Sequence, residues 1–351
     1  MGNIDLWINN IITFMKKVFL ASVIVVTIGI FFGLSTLQAY ALTISPLRRE
    51  VTAKPGETAE VSVRLTNEKD IPVVVTPLFR EFVANQDGTG AAKFIEPKDL
   101  ASDNVYVSRW MQAQRDRVVL RPKQTEYIKT IVSVPAQAAP GGYFGAILWE
   151  SVPQNATNLD GPGVGLKEEI ATLVLLTVPG NVERDIFLSS FKLEPDRTFH
   201  SRRPITFALD FENKGNIHLK PSGAVIVKNM IGWKSAEIAI NPHGGNVLPR
   251  SHRVFSPQWA SGRDVQESTG GLVASFITGI KNELSHFGFG RYTAQAFASF
   301  VPQGTRTNTV VFWIIPWRLL LITILAIAII WKVNHQMNKR MVKKVMRSMK
   351  E

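Results

Sequence analysis

Apolar and polar side chains alternate with a period of two along much of residues 42–312. In "AEVSVRLTN" (residues 59–67), Val61, Val63 and Leu65 fall on one side and Glu60, Ser62, Arg64 and Thr66 on the other. "ITFALDFEN" (205–213) repeats the arrangement with Ile205, Phe207, Leu209 and Phe211. One apolar side at period two is what a half-buried antiparallel strand requires, because successive side chains leave opposite faces of the pleat. Asp87-Gly88 marks a tight turn, and several short strands separated by turns point to an all-β fold of sandwiches.

The pattern is written twice. "RLTNEKDIPVVV" resembles "DFENKGNIHLKP", "VLRPKQTEYIKTIVSV" resembles "VLPRSHRVFSPQW", and "PGGYFGAILW" resembles "FGRYTAQAFASF". Asn67 precedes Tyr143 by 76 positions and Asn213 precedes Tyr292 by 79. Matching order and spacing point to duplication of one sandwich. The expected domains are residues 42–180 and 181–312, hinged near Pro179-Gly180. Tyr143 and Tyr292 are candidates for a tyrosine-corner tie from phenol to neighbouring loop.

One segment breaks the rhythm, an insertion at 261–287 in the second domain. Within it, residues 271–287 place Leu272, Val273, Phe276, Ile277, Ile280, Leu284 and Phe287 at helical spacing. Thr278, Lys281, Asn282, Glu283, Ser285 and His286 occupy the other side. An amphipathic helix is expected, its apolar side either capping the second sandwich or meeting the bilayer surface or a partner. "PQNATNLDGPGVG" (153–165) and "ASGRDVQESTG" (260–270) read as surface loops.

Both ends address a membrane. Lys16 and Lys17 precede an apolar stretch and the small-residue site Ala39-Tyr40-Ala41, the order of a signal peptide over residues 1–41, with an uncleaved anchor as the competing reading because the apolar run is long. Residues 313–331 form an apolar run bounded by Trp313, Trp317 and Trp331, followed by the basic tail 332–351. Aromatic belts and a basic stop predict a single-pass transmembrane helix with the tail in the cytoplasm and residues 42–312 outside. Charge follows the same logic. Residues 42–312 hold 30 Lys and Arg against 26 Asp and Glu, so only +4 of the chain's +12 lies on the folded part. A nucleic-acid binder would carry its basic excess there, so no nucleic-acid partner is expected.

The chain has no cysteine, which excludes disulfides, zinc-thiolate sites and cysteine nucleophiles. Its six histidines show no metal-ligand spacing, and no nucleophile elbow or Walker loop occurs. The expectation is a non-enzymatic protein with no cofactor, metal or catalytic residue. The candidate binding residues are Arg109, Trp110, Arg115 and Arg117 in "VSRWMQAQRDR". Either Trp110 fills the core, or the four form a cationic, aromatic surface for a polyanionic or sugar polymer. Trp149 and Trp233 carry the same ambiguity.

"ISPLRREVTAKPGETAEVSVRLTNEKDIPVVVTP" and "SRWMQAQRDRVVLRPKQTEYIKTIVSVPAQAAPGGYFGAILW" together resemble the N-terminal domain of the WxL-interacting surface proteins. The cues are a Pro-Gly-Glu turn, an Asn turn and a Gly-Gly-Tyr before a late strand. The resemblance implies two immunoglobulin-like domains on a membrane helix, the first engaging peptidoglycan and the second meeting other proteins. The insertion at 261–287 departs from that pattern. The expected role is thus an anchored envelope scaffold that binds cell-wall polymer or, by edge-strand pairing, a surface protein. An anchored chaperone or accessory subunit of an export or surface-assembly system is the alternative.

Overall fold

A computed structural model describes residues 42–99, 106–153, 167–260, 271–300 and 304–348. The expected signal peptide, nearly all of the two expected loops and the last three tail residues lie outside the described residues.

The chain is an all-β protein of two tandem immunoglobulin-like sandwiches with a C-terminal helix. In the first sandwich one sheet runs β1 (Leu42–Ser45), β3 (Thr58–Asn67), β8 (Thr125–Ser133), β6 (Met111–Ala113). The facing sheet runs β2 (Arg48–Thr52), β10 (Glu168–Val178), β9 (Gly141–Pro153), β4 (Val73–Ala84), β5 (Ala92–Ile95), with β7 (Val118–Leu120) also on β4. The second sandwich places β11 (Ile186–Glu194), β13 (Ile205–Asn213), β16 (Ser251–Phe255) and β17 (Gln258–Trp259) against a second sheet. That sheet runs β12 (Phe199–His200), β19 (Gly304–Ile314), β18 (Gly290–Phe300), β14 (Ser222–Asn229), β15 (Lys234–Ala239). Val61, Val63 and Leu65 are buried in one core, and Ile205, Phe207, Leu209 and Phe211 in a separate one.

Duplication extends beyond the strand motifs. In each sandwich the opening segment pairs antiparallel in one sheet and then crosses to run parallel in the other. β1 lies on β3 and β2 on β10, as β11 lies on β13 and β12 on β19. A cis peptide, Ser45–Pro46 and Glu194–Pro195, sits at each crossing. The two turn asparagines are also equivalent. Asn67 Nδ2 donates to the carbonyls of Ile71 (2.9 Å), Leu120 (3.1 Å) and Arg121 (3.0 Å), and its Oδ1 accepts from Lys69 N–H (3.0 Å). Asn213 Nδ2 donates to Ile217 (2.8 Å) and Val247 (2.9 Å), and Oδ1 accepts from Gly215 N–H (3.0 Å). Each side chain closes its own turn and pins a distant segment to it. Tyr143 makes the expected corner, its hydroxyl donating to Ala139 O at 2.9 Å. Tyr292 instead stacks on Phe312, ring centroids 5.8 Å apart.

The strand-to-membrane junction differs slightly from the sequence expectation. Trp313 and Ile314 still belong to β19, paired with Arg291 and Gly290. The helix α2, Trp317–Ser348, begins after Pro316. The apolar run therefore combines a strand end with a helix start, and hydropathy alone does not separate them. Its segment Trp317–Val342, 26 residues, is long and apolar enough to cross a membrane, and its most apolar window is 0% buried by the rest of the chain.

The helix expected at 271–287 is α1, Leu272–Ser285. It packs against the start of α2, with Phe276 edge-on to Trp317 at 6.2 Å. Glu283, 0% exposed, faces Arg318 Nη1 at 3.2 Å and accepts the Leu319 backbone N–H at 3.0 Å. An N–H in the first turn of a helix has no partner within it, so Glu283 caps the membrane helix from outside. Asn282, Glu283 and His286 are buried whereas Val273, Ile277 and Leu284 are exposed. The exposed stripe does not cap the sandwich.

Candidate functional site: an interdomain cleft and an open sheet edge

Glu50, on the edge strand β2, is the hub between the sandwiches. Its carboxylate accepts from Lys220 Nζ at 2.7 Å and Asn246 Nδ2 at 2.9 Å, with Arg48 Nε at 3.4 Å. Burial works to raise this carboxyl, but hydrogen bonds from Lys220 and Asn246 and the positive charge of Lys220 outweigh it, holding Glu50 below its ordinary range. Arg48 Nη2 donates to Gly244 O at 2.8 Å, and Gly142 N–H donates to Asn216 O at 2.8 Å. Phe82, Ala146 and Leu175 form a small apolar seal to which Phe144 and, from the second sandwich, Leu248 contribute.

Two open grooves flank the seal. One, of about 370 Å³, lies between Ala84, Gly142, Phe144 and Leu248, and the other, of about 590 Å³, between Gln86, Asp210, Lys214 and His252. Arg250 borders both, with its backbone at φ 53, a conformation few non-glycine residues adopt. Mixed charge in shallow grooves suits contact with a polypeptide surface.

His252 crosses this boundary. Its Nδ1 lies 3.1 Å from Asp210 Oδ1 and its Nε2 lies 3.2 Å from the Gln86 carbonyl of the first sandwich. Both partners are acceptors, so only the imidazolium satisfies both. Its pKa is raised, chiefly by the hydrogen bond to Asp210 and next by that to Gln86. The contribution to stability is complete below the ordinary value of 6.5 and is lost as pH rises through the raised folded value. His218 opposes this. Burial lowers its pKa, so its contribution holds above 6.5 and is lost as pH falls through the depressed folded value. In the Asp210→Asn variant the His252 midpoint, followed by ring-proton NMR, is expected to fall back toward its ordinary range. An unchanged midpoint would remove Asp210 as the cause.

At the end of the first sandwich remote from this interface, β10 is covered on one side only in part. β9 pairs with all of Glu168–Val178, whereas β2 runs alongside only Leu173–Thr177. Leu173 N–H donates to Leu47 O at 2.8 Å. By the two-residue alternation the N–H and C=O of Glu169 and Ala171 point the same way. Among the described residues no strand pairs with them there.

The four residues singled out in the sequence do not form one patch. Trp110 is half-buried on Tyr143, ring centroids 4.8 Å apart, and Arg109 lies over the Tyr106 ring at 5.3 Å. Both sit at the interdomain end of the first sandwich. Arg115 is ion-paired with Glu126, and Arg117 is exposed in the same turn before β7. That turn lies at the opposite end, about 20 Å along β8 from Trp110 at ~3.3 Å per residue. Trp149 is core, 0% exposed, with its indole N–H on Thr172 Oγ1 at 3.1 Å. Trp233 is exposed.

No family model matches the chain, and no curated protein matches it. Among solved structures it is similar to a chain of the chaperone–tip adhesin complex of CFA/I fimbriae, at 10% identity and a TM-score of 0.35, covering 78% of this chain and 98% of that one. The E. coli chaperone DraB has 10% identity and a TM-score of 0.34, covering 77% of this chain and 96% of its own. The Pseudomonas aeruginosa CupB2 chaperone has 10% identity and a TM-score of 0.33, covering 78% and 100%.

Proposed function

We propose that this chain is a non-enzymatic, membrane-anchored protein of a bacterial envelope whose ectodomain takes an extended segment of a protein partner onto the open edge of β10. The observation carrying the reading is that, among the described residues, no strand covers the backbone groups of Glu169 and Ala171 on the side where Leu173–Thr177 of the same strand meet β2. Unpaired N–H and C=O groups on an edge are a template for an added strand. The long apolar α2 supports anchoring, and the basic residues after Trp331 support a cytoplasmic tail. Separation of Trp110 from Arg115 and Arg117 weakens the wall-polymer alternative, since no single cationic, aromatic face results.

A photo-activated cross-linker at Glu169 in host cells is expected to trap a discrete protein. Adding Ala171→Pro removes the outward N–H while sparing the bonds to β9, and should cut the adduct at least about tenfold. An adduct indifferent to the proline would reject edge pairing. Salt-resistant co-sedimentation of the protein with cell-wall sacculi, without any adduct, would transfer the function to wall polymer.

A further inference from the structure

We propose that the membrane-facing end of the second sandwich is seated in the headgroup–acyl boundary of the bilayer, held there by α1 and by the tip of the β14–β15 hairpin. This rests on α2 crossing that bilayer.

Three elements meet at one end of the sandwich. Gly290 pairs with Ile314, two residues before Pro316, and Asn229, which opens the hairpin turn, pairs with Tyr292. A Cβ placed on Gly290 would lie 2.5 Å from Met230 Cε, so the hairpin tip lies against the base of β18. One placed on Gly279 of α1 would lie 2.5 Å from Arg318 Nε, so α1 lies equally close to the base of α2.

This end presents large apolar side chains outward. Val273, Ile277 and Leu284 line up on α1, Ile231 and Trp233 project from the hairpin, and Phe289 follows α1. Val273 is 74% exposed and Trp233 is 71% exposed. A helix at a protein–water surface turns its apolar stripe toward the core. Here α1 does the reverse, burying Asn282, Glu283 and His286 against the protein. That polarity is stable where the outside is lipid. The patch is also continuous with the anchor, because the Glu283 cap on Leu319 and the Arg318 ion pair fix α1 to its first turn.

The dimensions agree. The part of α2 ahead of the basic tail, from Trp317 to Trp331, extends only about 22 Å at ~1.5 Å per residue, less than the roughly 30 Å hydrocarbon core, which draws the base of α2 and what is fixed to it down to the bilayer boundary. Trp233 and Trp317 then sit at the level that aromatic belts occupy. Lys281, exposed beside the stripe, can extend its amine to the headgroups.

The absence of cysteine allows a direct test on the full chain. Single substitutions Ile277→Cys, Ile231→Cys, Leu325→Cys and Tyr127→Cys would be spin-labelled separately in nanodiscs of zwitterionic and anionic phosphatidyl lipids. Collision with oxygen reports lipid, and collision with a soluble nickel chelate reports water. The 277 and 231 labels should be roughly tenfold less accessible to the chelate than the 127 label and readily reached by oxygen. A lipid-exposed 325 label with water-exposed 277 and 231 labels would overturn the seat and leave the anchor standing. A water-exposed 325 label would overturn both. Dipolar broadening between 277 labels on separate chains would assign the patch to a second copy and reject the lipid seat.

Discussion

Replacing Asn213 with alanine is expected to destabilise the protein by about 1–3 kcal/mol, the cost of a buried polar group left without a partner. The Ile217 carbonyl loses its partner, whereas the Val247 carbonyl keeps the Leu219 N–H at 3.0 Å and the Gly215 N–H keeps the Asp185 carbonyl at 3.3 Å. Asn67→Ala should cost at least as much, since its amide and carbonyl contact four backbone groups, of which the Arg121 carbonyl keeps the Gln124 N–H. The two variants should differ in reach. The Asn213 turn carries the Asn216 carbonyl that accepts Gly142 N–H from the first sandwich, so its loss also loosens the interface. Asn67 closes a turn at the far end of the first sandwich, so its loss stays there. Urea unfolding of the full chain, with amide exchange resolved by domain, separates the cases. Loss of under 1 kcal/mol in either variant would show that water replaces the side chain.

Arg318→Met should release α1 while leaving the strands intact. Glu283 is fully buried, and a buried charge deprived of its partner costs about 3–5 kcal/mol. The chain can relieve that cost by local unfolding, moving α1 away until Glu283 reaches water. Exchange at residues 272–285 should therefore accelerate strongly while β18 and β19 keep their protection. The pair Glu283→Gln with Arg318→Met should restore part of the protection, since the amide still accepts the Leu319 N–H. If α1 stays protected in Arg318→Met, packing of Phe276 on Trp317 holds the helix and the ion pair is incidental.

The alternating strands, the paired asparagine turns and the corner at Tyr143 were legible because each is a local pattern. The crossing strands were not. "RREVT" in β2 lacks alternation, as an edge strand shared between sheet and interface does. The Glu50 hub was invisible for another reason, since its partners Lys220 and Asn246 lie 170 and 196 positions away. The periodicity of α1 was legible but its orientation was not, because a helical period states which residues share a side and leaves open what that side faces. Polar neighbours in sequence made Trp110 a surface candidate, yet the sheet brings Tyr143 onto it. The apolar run around Trp149 was the better indicator, and that residue is wholly core.

Central to this account is a backbone edge that acquires a strand. Amide exchange at Glu169 and Ala171, measured in the full chain in nanodiscs before and after adding the partner trapped at Glu169, tests it most directly. Exchange should slow at these two positions and stay unchanged at Ile170 and Thr172, whose amides already face β9. Equal exchange at Glu169 and Ala171 with the partner bound would place the binding surface elsewhere and contradict the account.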